Sequence, residues 1–208
     1  MLKLYTSPGA CSTAAHIALQ EAGIPFETKM VALQKGESET PEFLKLNPKG
    51  YVPVLEIDGQ RTLTEVAAIV QYVADQAPEK NLMPTRGFER FKALEWLNFI
   101  STEIHKGMGS FFALDHIFKN EEGKKEYRDF MTQALKGKFD YLNTCLEGKD
   151  YLMGSQYSVA DGYLFTILNW SNFIKFDLTP WKNLTNFQSR VYARPATQRA
   201  FKAEGLLK

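Results

Sequence analysis

The chain has 208 residues, enough for one large or two small domains with a buried core. Its 25 lysines and arginines against 24 aspartates and glutamates leave a net charge of +1, and no run of like charge makes a stripe for phosphates, so nucleic acid is not an expected partner. No apolar stretch approaches the roughly 18 residues that span a bilayer, and no charged and apolar leader opens the chain; the expectation is a cytoplasmic protein with no membrane partner.

Leu2 to Thr6 alternates with period two and reads as a strand, after which Ala15, Ala18, Leu19 and Ala22 recur at helical spacing until Gly23 stops the run. Between them, in Pro8-Gly9-Ala10-Cys11-Ser12, a cysteine stands at the N-terminus of the helix. Unpaired N–H groups and the positive end of the helix dipole there favour a thiolate. A small buried thiol is the competing reading. Phe26 to Val31 reads as a second strand, and Gln34 to Asn47 as a polar loop with a short helix begun near Pro41. Val54 to Ile57, an Asp58-Gly59 turn and Arg61 to Thr64 form a hairpin, because Asp-Gly supplies positive φ. A helix with Val66, Ile69, Val70 and Val73 on one face follows. The order βαβ, α, ββα fills residues 1–78, a mixed α/β domain. Pro53 opens a strand where it cannot donate to the ladder. Spacing leaves both isomers of the Val52-Pro53 bond open; cis would turn the N–H and C=O of Val52 outward for an extended peptide.

Pro78, Pro84 and Gly87 punctuate a linker over 79–87, and residues 88–208 carry helical signals alone. Leu97, Ile100, Ile104, Met108 and Phe111 step along one stripe and Leu135, Phe139, Leu142 and Leu146 along another, as in a helical bundle. Ser158 to Asp161 fits a capping box before a buried apolar helix, with Gly162 where a hydrophobic staple would pack. Asn98, Ser101 or Thr102, and His105 share a polar face opposite the apolar stripe. His105 could donate to a thiolate or shuttle a proton near neutral pH, although a lone helical histidine is more often structural. His16 and His116 have no such context and read as satisfied or surface histidines. The two cysteines, Cys11 and Cys145, fit neither a disulfide framework nor a metal site; Cys145 adjoins the Leu142 and Leu146 stripe and reads as core.

The element order, Pro8 to Ser12, Asn47-Pro48-Lys49-Gly50-Tyr51-Val52-Pro53, Leu63-Thr64-Glu65 and the Ser158 to Asp161 box resemble a cytosolic glutathione S-transferase. Cys11 with the run from Trp96 to Lys106 is similar to the bacterial beta class. The resemblance runs essentially end to end. It implies a thioredoxin-like N-terminal domain followed by a helical-bundle C-terminal domain, a homodimer, glutathione as cosubstrate, no metal, and a cis Val52-Pro53 bond. It places glutathione against Cys11, Lys35, Val52, Glu65, Val66, Asn98, Thr102, Glu103 and His105, with Cys11 and His105 catalytic, and with Asn98 and Glu103 reaching across the dimer.

Each role suits the chemistry of a small peptide with two carboxylates, an amine and a thiol. Val52 pairs with the cysteinyl backbone; Glu65 accepts the amine; the first N–H groups of the next helix, that of Val66 included, bind the γ-glutamyl carboxylate. Alone, Glu65 would read as a carboxylate at a helix start and Lys35 as a solvated loop residue. Many family members have Ser where this chain has Val66, and its hydroxyl would add about 0.5–1.5 kcal/mol of hydrogen bonding. Tyr5 and Ser12 are the other hydroxyls near the sulfur, Tyr5 a strand residue and Ser12 one that assists or caps. Phe111, Phe112, Tyr163 and Trp170 are candidate walls of an electrophile pocket, or core. The expected reaction is conjugation of glutathione to a small electrophile, with thiol–disulfide exchange at Cys11. The alternatives are a glutathione-dependent disulfide oxidoreductase or peroxidase, and a non-enzymatic binder of hydrophobic ligands.

Overall fold

A computed structural model of the chain describes residues 1–207. The first domain is built on a four-stranded sheet of order β2-β1-β3-β4, from β1 (Leu2–Thr6), β2 (Phe26–Met30), β3 (Val54–Ile57) and β4 (Arg61–Thr64). β1 pairs parallel with β2, placing Leu2 beside Phe26, and antiparallel with β3, placing Leu4 beside Leu55. The crossover between the parallel strands is α1 (Thr13–Ala22), which Gly23 ends in the left-handed conformation that costs glycine least. Leu2, Leu4, Leu55 and Ile57 face α1 and α3 (Val66–Gln76), where Ile17, Leu19, Ile69, Val70 and Val73 are fully enclosed. The opposite sheet face carries a smaller cluster of Val31, Phe43, Val52 and Val54 under α2 (Pro41–Leu46). Period-two alternation along β1 thus serves two cores, with Tyr5 turned to the Phe43 side.

The chain leaves α3 through a turn at Pro78–Lys80 and enters an all-helical domain: α4 (Gly87–Phe99), α5 (Lys106–Gly109), α6 (Leu114–Ile117), α7 (Glu121–Cys145), α8 (Val159–Leu168), α9 (Ser171–Ile174), α10 (Lys182–Tyr192) and α11 (Pro195–Ala203). The thioredoxin-like unit followed by helices is the expected architecture. The stripe from Leu97 to Phe111 and that from Leu135 to Leu146 are both buried. One feature departs from regular periodicity: Ile100–His105 forms a π-helical turn joining α4 to α5.

All ten residues of α8 are buried. Its start is held by Asp161, which accepts from the N–H and Oγ of Ser158 at 2.7 Å each and from the N–H of Leu152 at 2.8 Å. Burial nevertheless pushes the Asp161 carboxyl up to about 6, against the pull of these donors. Gly162 stands where it does because Tyr157 presses on the helix: a Cβ there would lie 2.4 Å from Tyr157 Oη. α8 packs against α1 and α3 of the first domain and α11 against α1, so the two domains share one core.

Candidate functional site

A cleft of about 880 Å³ opens between the domains, floored by the β1–α1 loop that carries Cys11. Asn47, residues 49–53 and 64–66 and Lys35 line its polar half, and His105, Lys106, Phe112, Tyr163, Trp170 and Phe173 its aromatic half.

The polar half is backbone-rich. The Val52-Pro53 bond is cis, the isomer the resemblance implied, and Val52 C=O accepts a hydrogen bond from Cys11 Sγ at 3.5 Å. Glu65 caps α3 with φ at 70°, a left-handed conformation for a residue with a side chain, which typically costs on the order of 1–3 kcal/mol and clusters at functional sites. Its carboxylate pairs with Lys49 Nζ, which also donates to Thr64 Oγ1 at 2.8 Å. Beyond it, the leading N–H groups of α3 lack intrahelical acceptors, and they open on the cleft at Val66. The Val66 side chain is buried in the core, so its backbone is what it offers. Lys35, in a turn after β2, lines the same half. The sequence reading overlooked Lys49, whose place beside Glu65 depends on how the loop before Val52 folds.

Cys11 is partly buried and lines the cleft opposite the residues of the second domain. Burial pushes the Cys11 thiol up to about 12, outweighing the N–H groups of Cys11 and Ser12 and the Lys106 charge, which pull it down; Glu65 adds to the rise. Of the two readings of Cys11 this favours the buried thiol: the helix terminus acts as expected, and burial overrides it. Ser12 does not face the sulfur, because it is fully buried with Oγ accepting from Thr6 Oγ1 at 2.8 Å and from Ser7 N–H at 3.0 Å. Tyr5 donates to Glu56 at 3.0 Å, away from the cleft.

His105 reaches the cleft, and its Nδ1 lies 2.6 Å from Tyr163 Oη. Burial, helped by Lys106, lowers the imidazole to about 4, so it is neutral near pH 7. Of the two roles read for His105, this favours a neutral hydrogen-bonding ring over a proton shuttle at neutral pH. Burial raises the Tyr163 hydroxyl well above the usual range, and the nearby Cys11 raises it further, keeping it a donor. Of the expected walls, Phe112, Tyr163 and Trp170 line the cleft, whereas Phe111 packs on Phe176 in the core. Phe173 and Lys106 were not anticipated.

The cleft of a single chain does not include the remaining residues of the polar face. Asn98 Nδ2 donates to Leu94 O, Thr102 Oγ1 donates to Asn98 O, and Glu103 pairs with Lys138 at 2.6 Å. The π-helical turn supplies the reason: an i→i+5 turn advances fewer degrees per residue than an α-helix, so His105 is rotated away from the row that a regular helix would align with Asn98. His16 is satisfied, at 2.8 Å from Glu204, and Cys145 is partly buried against the core. Among the described residues no cluster of histidine, cysteine and acidic side chains is arranged to hold a metal, and no helix is long and apolar enough to cross a membrane.

Residues 9–76 match the family model described as glutathione S-transferase, N-terminal domain, and residues 99–195 the one described as glutathione S-transferase, C-terminal domain. The chain is 39% identical to glutathione S-transferase GstA of Escherichia coli O157:H7 over 99% of its own length and 100% of that protein. Among solved structures, a sphingomonad glutathione S-transferase complexed with glutathione superposes with a TM-score of 0.87 at 37% identity, covering 99% of this chain and 100% of the other. A bacterial beta class glutathione S-transferase of Sphingomonas chungbukensis does so with a TM-score of 0.86 at 38% identity, over 99% and 100%.

Proposed function

Because the chain belongs to the glutathione S-transferase family, a family of glutathione transferase enzymes, we propose that this cleft conjugates glutathione to small electrophiles, with Cys11 as the group that handles the ligand's sulfur. The observation that carries the reading is the coupling of Cys11 to Val52. The thiol donates to the same carbonyl that an extended peptide strand would use, at the junction of the polar and aromatic halves.

The peptide of glutathione pairs with the Val52 backbone, its amine joins Glu65, its γ-glutamyl carboxylate sits at the α3 N–H groups, and Lys35 and Lys49 meet the remaining anionic group. Pairing with Val52 frees the Cys11 S–H to turn to the incoming sulfur. A protonated thiol is a donor, so Cys11 stabilises a glutathione thiolate as an S–H group, with Tyr163 as a further donor when His105 Nδ1–H donates to its hydroxyl, and Lys106 as a nearby cation. The thiolate then attacks an electrophile held among Phe112, Trp170 and Phe173. Asn98, Thr102 and Glu103 belong to this site through a second copy of the chain in a homodimer, since none lines its own cleft.

A second reaction draws on the pull of the Cys11 and Ser12 N–H groups and Lys106. A Cys11 thiolate formed in part of the population attacks one sulfur of a glutathione disulfide; the new S–S bond joins Cys11 to glutathione, the other glutathione leaves as its thiolate, and the thiol's proton goes to solvent.

The test is turnover of a chloro-nitroaromatic electrophile with glutathione by wild type, Cys11→Ser and Cys11→Ala. Conjugation requires wild-type turnover that Cys11→Ala loses and Cys11→Ser, still a donor, retains in part. Full activity in Cys11→Ala would remove Cys11 from the conjugation step and leave it the exchange reaction alone.

A further inference from the structure

One wall of the aromatic half has little of its own to hold it. Phe173 stands on α9, a helix of a single turn, and is 56% exposed, so neither helical cooperativity nor burial of the ring fixes it. Lys175 ends the turn in the left-handed conformation, at φ 55°, which is unfavourable for a residue with a side chain. Yet the placement of Phe173 matters to the sulfur. A Cβ built on Gly9, two residues before Cys11, would lie 3.6 Å from the Phe173 ring, so the ring rests against the loop that carries the thiol.

The anchor comes from α7. Arg128 Nη1 donates to Ile174 O at 2.8 Å, at the C-terminal end of α9, where helical carbonyls lack partners within the helix. The same guanidinium lies over the Phe111 ring, 5.3 Å from its centroid. Phe111 is buried and directly precedes Phe112, another wall of the cleft, which meets Trp170 edge-on with centroids 5.2 Å apart. The neighbouring acid, Asp115, pairs instead with Lys124 at 2.7 Å, so what Arg128 binds is a main-chain carbonyl and an aromatic face. A planar guanidinium suits that combination, and a lysine ammonium does not. One side chain outside the cleft lining thus grips the neighbours of two residues within it.

We propose that Arg128 is a specificity-determining positioning residue for the electrophile: by holding Ile174 and Phe111 it sets where Phe173 and Phe112 stand. The proposal rests on the aromatic half receiving the electrophile and adds which distant residue shapes it. With α9 held in advance, an aryl group meets an ordered wall. Without Arg128 the wall is ordered only as the aryl group binds, and that cost subtracts from affinity. Glutathione itself is spared, because Val52, Glu65 and the α3 N–H groups belong to the first domain.

The experiment compares, by calorimetry, the affinity of glutathione with that of its S-dinitrophenyl conjugate, so the ratio isolates the aryl group and needs no turnover. Wild type is expected to bind the conjugate more tightly. Arg128→Met is expected to cut the ratio by about 3–10-fold, the cost of ordering one or two side chains, with glutathione affinity unchanged; in steady-state conjugation KM rises for the electrophile and not for glutathione. Arg128→Lys, which keeps the charge and a donor for Ile174 O, should recover part of the ratio. Arg128→Gln decides the matter if Arg128→Met does not fold. Lys125→Met is the control, since it removes another cation of α7, one paired with Asp129 at 2.8 Å, and should leave the ratio at its wild-type value. A folded Arg128→Met or Arg128→Gln with the full ratio, or an equal fall in Lys125→Met, would overturn the proposal. A wild type that binds glutathione and gains nothing from the aryl group would overturn the electrophile cleft itself and this inference with it, a result distinct from a gain that survives the loss of Arg128.

Discussion

Two opposing effects meet at the Cys11 sulfur. A helix N-terminus lowers a thiol and burial raises it, and here burial wins, pushing the thiol up to about 12. We expect alkylation of Cys11 by iodoacetamide to be slow at pH 7 and to accelerate steeply above pH 8. Alkylation as fast as that of an activated thiol at pH 7 would contradict the burial argument. His105 gives the reverse case. Its imidazole falls from an ordinary 6.5 to about 4, so between those values the unfolded chain binds the proton and the folded one does not; stability therefore declines as pH falls from about 6.5 toward 4. An NMR titration of its ring should show no protonation between pH 8 and 5.5. Val66 trades core packing for binding: Val66→Ser should tighten glutathione by about 0.5–1.5 kcal/mol through an added hydroxyl donor, read by calorimetry, while lowering the denaturation midpoint because a buried side chain is lost.

At the scale of elements, α8 and the π-helical turn carry different lessons. Gly162→Ala should destabilise the fold by about 1–3 kcal/mol, because its Cβ would meet Tyr157 Oη at 2.4 Å. That hydroxyl is also buried without a partner among the described residues. Tyr157→Phe should therefore be neutral or stabilising alone and should rescue much of the Gly162→Ala loss; urea denaturation of the single and double variants checks both. The capping box and both buried stripes could be read from spacing, because local chemistry and the apolar period determine them. The π-helical turn could not, since Leu97, Ile100, Ile104 and Met108 keep helical spacing whether or not one turn widens. That widening separates His105 from Asn98 and Thr102, and so it is also where the reading of a shared polar face departed from the structure.

At the scale of the molecule, the domain order and the polar half of the cleft were legible because they rest on short motifs: the Asp-Gly hairpin, the loop before Pro53 and the Glu65 helix start. The second-domain residues opposite Cys11 were not. Tyr163, Trp170 and Glu204 meet the N-terminal loop only through the packing of α8 and α11 on α1, and no local pattern announces a contact over more than 150 residues. The proposed homodimer belongs to this scale too. Sedimentation should give twice the chain mass, and Glu103→Gln should weaken glutathione binding only if its carboxylate leaves Lys138 for the partner's site. The claim on which all of this depends is that glutathione lies in the cleft as a thiolate beside Cys11. Titrating glutathione into the protein at pH 7 while following near-ultraviolet thiolate absorbance tests it most directly. Wild type should develop the absorbance saturably and Cys11→Ala should lose most of it while still binding the ligand. Binding by wild type with no thiolate signal would contradict the role assigned to Cys11.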